Sequence, residues 1–167
     1  DDHTEQFNQS YPETYVLSEW GENRMYNYFV NGESRSYGFA RSNYGEFITS
    51  TNTSAQYSQL ANRVGYVTVG PARTPARTTH GRLYDGLGLG STNVSHFQIL
   101  YVGESVRAFA LVPGATIRVS GPTGQTVTAQ TTVDVPSSPE VSVGNESYTQ
   151  RKTITRGTAT LRVAHPG

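Results

Sequence analysis

The sequence predicts an α+β chain: a small N-terminal α/β half packed on a C-terminal antiparallel β-sandwich or barrel. Three observations carry that expectation. Apolar residues recur at helical spacing before residue 90 and at a period of two after it. Two short apolar runs, TYVLS at 14–18 and GYVTV at 65–69, bracket the helical segments as buried strands do. The charged fraction is 16 %, well under the usual quarter, while Thr, Ser, Gly, Tyr and Asn are abundant. Hydroxyls standing in for charges are the mark of a secreted or cell-surface β-rich domain.

With 167 residues the chain forms one domain or two small packed halves, residues 1–90 and 91–167. A chain of this length removes roughly 68–70 % of its surface from water on folding, so a core forms without staples. It has no cysteine, which excludes disulfides and thiolate metal sites. Formal net charge is zero, so nothing points to nucleic acid as a partner. Lys152 is the sole lysine; the remaining cations are arginines. No apolar run approaches the ~20 residues of a membrane helix, and the first residues are DDHTEQF, consistent with a cleaved precursor or an excised soluble part.

In the first half, the strand at 14–18 leads into ENRMYNYFVN, where Met25, Tyr28 and Phe29 suggest the packing face of a short helix stopped by Asn31-Gly32. Tyr37, Ala40, Tyr44, Phe47 and Ile48 mark a second helix, weakened by Gly38 and Gly45 at about 1 kcal/mol each. TNTSAQYSQLANRV opens on capping residues, with Tyr57, Leu60, Ala61 and Val64 as its apolar stripe. The stretch GPARTPARTTH, 70–80, repeats Pro-Ala-Arg-Thr without apolar periodicity and reads as an exposed loop. One helical turn and a glycine bend follow, GRLYDGLGLGS.

In the second half, VSHFQILYV, SVRAFALV, ATIRVSG, QTVTAQTTVDV, EVSVG, ESYTQRKTIT and TATLRVAH are short alternating segments between Gly, Pro, Asn and Ser turns. Ile117, Val119, Leu161 and Val163 are expected inward, Arg118 and Arg162 outward. Pro136 and Pro139 mark a loop or sheet edge.

Catalytic signatures are missing: there is no Gly-X-Ser-X-Gly elbow, His-Glu-X-X-His pair or P-loop lysine. His3, His80, His96 and His165 are scattered and read as surface or packing residues. GLGLG at 86–90 lacks the strand before it and the helix after it that a phosphate loop needs. Arg73 and Arg77 belong to a solvated loop, with contact to a phosphorylated lipid as the alternative. Asn-X-Ser/Thr sequons stand at Asn8, Asn52, Asn93 and Asn145, either accidental or the acceptors of an exported glycoprotein. The stretch YVLSEWGENRMYNYFVNGES, 15–34, holds the only Trp and the only Met. It is either the aromatic anchor of the first half or a binding surface. Trp20 beside Gly21 leaves an indole free to cover a ligand, and Glu22, Asn23 and Arg24 supply acceptors and donors within one turn.

Two pieces of the chain resemble the C-terminal extracytoplasmic part of archaeal-type oligosaccharyltransferase catalytic subunits. One is GSTNVSHFQILYVGESVRAFALVPGATIRVSGPTGQTVTAQ, with its His-aromatic-X-aliphatic-X-Tyr strand and Val-Pro-Gly-Ala-Thr turn, closed by GTATLRVAHPG. The other is VLSEWGENR, in the place of that family's Trp-Trp-Asp-Tyr-Gly motif. Trp20 matches the second Trp, whereas Glu19, Gly21, Glu22 and Asn23 replace Trp, Asp, Tyr and Gly. The resemblance implies a soluble exported domain of a membrane glycosyltransferase acting in protein N-glycosylation, on the extracytoplasmic face. It would assist binding of an acceptor polypeptide carrying Asn-X-Ser/Thr: Trp20 packs on the peptide, Glu22 and Asn23 hydrogen-bond it, and Arg24 orients Glu22. The divalent metal, the lipid-phosphate site and the catalytic carboxylates belong to a membrane portion that this chain lacks, so the isolated domain is not expected to turn over. The competing expectation is a non-catalytic β-sandwich module of an S-layer, pilus or adhesin.

Overall fold

The computed structural model describes residues 15–32, 37–90 and 94–165. His3, Asn8 and Asn93 lie outside them. The fold is mixed α+β with open sheets rather than a closed barrel.

A four-stranded sheet organises the first layer. Its strands are β1 (Tyr15–Leu17), β2 (Val64–Val69), β3 (Phe97–Val102) and β4 (Arg107–Leu111), in the order β1-β2-β4-β3. β1 runs parallel to β2; β2 and β3 pair antiparallel with β4. The sheet therefore takes two strands from either side of the compositional change at residue 90. Helices α1 (Trp20–Asn31), α2 (Tyr37–Thr49), α3 (Thr53–Leu60) and α4 (Thr79–Tyr84) complete this region. Their ends follow the local chemistry. Gly32, at φ 68°, closes α1 with its N–H on the Tyr28 carbonyl, a left-handed cap natural to glycine. The Asn52 side chain accepts from the Ala55 N–H, and the Thr78 hydroxyl from the Gly81 N–H.

The remaining strands form two ribbons, β5 (Ala115–Ser120) with β8 (Thr158–Val163) and β6 (Thr126–Asp134) with β7 (Asn145–Thr153). One continuous core joins both regions. Tyr15, Phe47, Val67, Phe97 and Phe109 pack in the same cluster as Tyr148, Val163 and Ala164. The Val112-Pro113-Gly114 turn brings β5 against Ser95. A Cβ at Gly114 would stand 2.6 Å from the Ser95 carbonyl oxygen, and φ there is 71°, so both space and backbone require glycine.

Both edges of the main sheet are covered. At β3, Val102 N–H donates to the Pro136 carbonyl and Ser138 N–H to the Val102 carbonyl, so the proline segment lies along the edge as its composition suggests. EVSVG, expected as a strand, instead turns, with Val141 N–H on the Ser138 carbonyl. At β1 the cover is made by side chains. Asn27 accepts from Val16 N–H at 2.9 Å, and Asn23 and Asn27 donate to the Val16 carbonyl at 2.7 and 2.9 Å.

That arrangement overturns the expected orientation of α1. Its inner face is Asn23 and Asn27, each 1 % exposed, whereas Met25, Tyr28 and Phe29 are 49, 63 and 78 % exposed. The strand edge requires hydrogen-bond partners, and only the asparagine face supplies them. A second correction concerns β5. Leu161 and Val163 point inward as expected, but Ile117 is 39 % exposed and Val119 half-buried, because they line an open groove between the two ribbons.

Candidate functional site

Trp20 opens α1, separated from β1 by two residues, with Glu19 as an N-cap that makes no side-chain capping hydrogen bond. The indole is 55 % exposed. Beside it is a cleft of about 330 Å³ walled by Glu19, Trp20, Arg41, Tyr44 and residues 70–72. Its size lies in the range of small-ligand pockets.

Each wall has a physical anchor. The Arg41 guanidinium stands 5.8 Å from the indole centroid, a cation–π distance. Tyr44, on α2, accepts a hydrogen bond from the Gly70 backbone. Burial above all, then the Glu19 and Glu22 charges, push its phenol up to about 12 against that bond. Tyr44 therefore stays a neutral phenol at the cleft floor. The 70–77 loop is fastened by His80, which is fully buried. Its Nε2 donates to the Gly70 carbonyl at 2.8 Å, which leaves Nδ1 to accept from the Thr74 hydroxyl at 2.8 Å. A carbonyl can only accept, so the tautomer follows from the geometry.

The structure disperses the residues that the sequence suggested for one site. Trp20 borders the cleft. Glu22 is exposed one turn into α1, where its carboxylate accepts from the Tyr26 hydroxyl and raises that phenol, whose partial burial contributes more. Asn23 is buried and committed: it accepts from the Tyr15 hydroxyl at 2.8 Å while donating to Val16 and Ser18. A peptide outside the fold cannot reach it. Arg24 lies over the Tyr37 ring at 5.6 Å. Arg73 and Arg77 are exposed on the 70–77 loop, just beyond the cleft wall. Sequence reasoning missed Arg41 and Tyr44 as neighbours of Trp20, because α2 meets α1 only through the fold, and gave Glu19, adjacent in the chain, no binding role. Tyr44 has the helical spacing of a core residue, and half of it is one.

Among the described residues, no group of three or more His, Asp or Glu is placed to hold a metal ion, and no helix is long and apolar enough to cross a membrane. No protein-family model, curated protein or solved structure matches the chain.

Proposed function

We propose that this chain is the exported domain of a membrane oligosaccharyltransferase-like glycosyltransferase, and that the Trp20 cleft helps hold the acceptor segment. The observation that carries the reading is the half-exposed indole at the rim of a small cleft flanked by a carboxylate, a guanidinium and a neutral phenol. An extended Asn-X-Ser/Thr segment presents N–H and O–H donors that Glu19 and Glu22 accept. A threonine methyl or sequon backbone packs on the indole face, and Arg41 offers donors to peptide carbonyls. Glu19 takes the nearer acceptor place, and Asn23 has no part in it. Substitution at the glycan donor by the Asn amide, with its divalent metal, belongs to the membrane portion of the parent protein. The outward Met25, Tyr28 and Phe29 face of α1 is the surface that portion covers. Trp20→Ala in the full-length parent tests the reading. The expected result is about ten-fold lower kcat/KM for glycosylation, equal to about 1.4 kcal/mol. Unchanged glycosylation removes Trp20 from acceptor binding.

One observation favours a second reading, a non-catalytic surface module. The two ribbons are each only two strands wide and leave an apolar groove between them, which strand addition from a neighbouring subunit would fill. Filaments that grow with concentration of the purified chain support this reading and count against the first.

A further inference from the structure

A second, larger cleft of about 1040 Å³ opens between α3 and the outer strands β7 and β8. It shares no lining residue with the Trp20 cleft, so a ligand bound there is independent of any acceptor segment held by Trp20. Four cations border it, Arg82 from α4, Arg151 and Lys152 from β7 and Arg162 from β8, and no Asp or Glu is among its lining residues. In a chain of zero net charge with 13 acidic residues, so one-sided a wall is a local feature and not a consequence of composition. The rest of the lining is mainly hydroxyl and amide, including Ser54, Ser58 and Thr160.

An independent observation points to a ligand. Gln150, 7 % exposed, lines this cleft, and its buried Nε2 has no hydrogen-bond partner. Burial raises the Tyr148 phenol, and the Ala164 N–H and then the nearby Gln150 amide pull it back down. Tyr148 already accepts from the Ala164 N–H at 2.9 Å. Leaving a buried donor unpaired is costly, and an oxygen-rich ligand that reaches the amide from the cleft would remove that cost.

We infer that this cleft binds an anionic oligosaccharide, one whose sugar rings carry carboxylate or sulfate groups. The cations sit on two walls, so they match several separated anionic groups rather than one small ion. The hydroxyl and amide lining between them suits sugar hydroxyls, and the volume accommodates several rings. A nucleic acid is a poorer fit, because single strands are gripped by free aromatic platforms. The aromatic rings here, Tyr57 and His96, are stacked on each other at 3.9 Å and 6°. Arg162 is held with its Nη1 donating to the Pro113 carbonyl at 2.8 Å, which keeps one end of the cationic wall in place.

Calorimetric titration of the whole chain tests this with four probes: a tetragalacturonate, a sulfated tetrasaccharide, neutral maltotetraose and an oligo-dT. The expected result is that at least one charged tetrasaccharide binds about ten-fold or more tighter than maltotetraose and oligo-dT, with the preference between the two identifying the anionic group. Arg151→Ser with Lys152→Ser, both exposed, should lose about ten-fold in that affinity with the melting temperature kept. Gln150→Leu should bind about three-fold weaker, and melt no lower than the parent if its unpaired Nε2 serves the ligand and not the fold. Equal binding of maltotetraose, tighter binding of oligo-dT, no binding of either charged probe, or an Arg151/Lys152 variant that binds undiminished would each overturn the inference. So would a Gln150→Leu chain that melts lower and binds as before, because the amide would then serve the fold.

Discussion

Helices α1 and α2 are nearly equal in length, and both carry aromatic residues at helical spacing, yet they bury opposite kinds of face. α2 turns Ala40 and Phe47 inward, and Phe47 meets the Phe97 ring at 5.8 Å. α1 turns Asn23 and Asn27 inward and holds Phe29 in solvent. The difference lies in what each helix packs against. α2 faces the apolar core, where area removed from water decides the orientation. α1 faces the outer edge of β1, whose Val16 N–H and C=O would otherwise be buried without partners. Two unpaired backbone groups cost about 1–3 kcal/mol each, comparable to the roughly 1.5–3 kcal/mol gained by burying one large apolar side chain. Hydrogen bonding therefore settles α1's rotation, and the apolar residues it displaces become available to another surface.

Substitutions on the two helices break or sharpen that contrast. The largest effect is expected at α2: Phe47→Ala should cost about 3–5 kcal/mol in chemical denaturation, since its cavity sits in the continuous core. Asn27→Leu should cost about 1–3 kcal/mol, because it leaves the Val16 N–H without its acceptor while the Val16 carbonyl keeps Asn23; a stabilised variant would refute the edge-capping account. A smaller, gradual loss should accompany acidification. Burial holds His96 and His165 below the ordinary imidazole value, with Arg162 adding to the effect at His96. Above pH about 6.5 both folded and unfolded chains are neutral there, and neither histidine affects stability. As pH falls below that value the unfolded chain takes up protons first, so stability declines until the lowered native values are passed. The Asn27→Leu penalty should stay constant over the same range, as amides do not titrate. The smallest effect is expected at Phe29→Ala, within about 0.5 kcal/mol of the parent, because its ring is largely in solvent. A loss above about 2 kcal/mol would mean that the outer face of α1 is part of the fold.

The Trp20 cleft is partly legible in one dimension. A lone Trp after a short apolar strand, followed by Gly21 and Glu22, marks an exposed ring, and the ring is exposed. The same logic puts Asn23 and Arg24 at the site, since consecutive polar residues look alike along a sequence. On a helix they point about 100° apart, and Asn23 goes to the core while Arg24 goes to Tyr37. The cationic cleft has no linear signal at all: Arg82, Gln150 and Arg162 come from separate elements, and only the fold gathers them on one cleft.

Local chemistry alone determined much of this protein. The strand at 15–17, the stop at Gly32, the caps at Asn52 and Thr78, the proline-marked edge and the change of period near residue 90 all depend on a few neighbouring residues. Tertiary structure alone decided which face of α1 is buried, that β3 and β4 complete a sheet begun by β1 and β2, and which distant cations share one wall. Those outcomes depend on which buried polar groups find partners. That is settled only when segments far apart in sequence meet, and periodicity of hydrophobic residues carries no record of it.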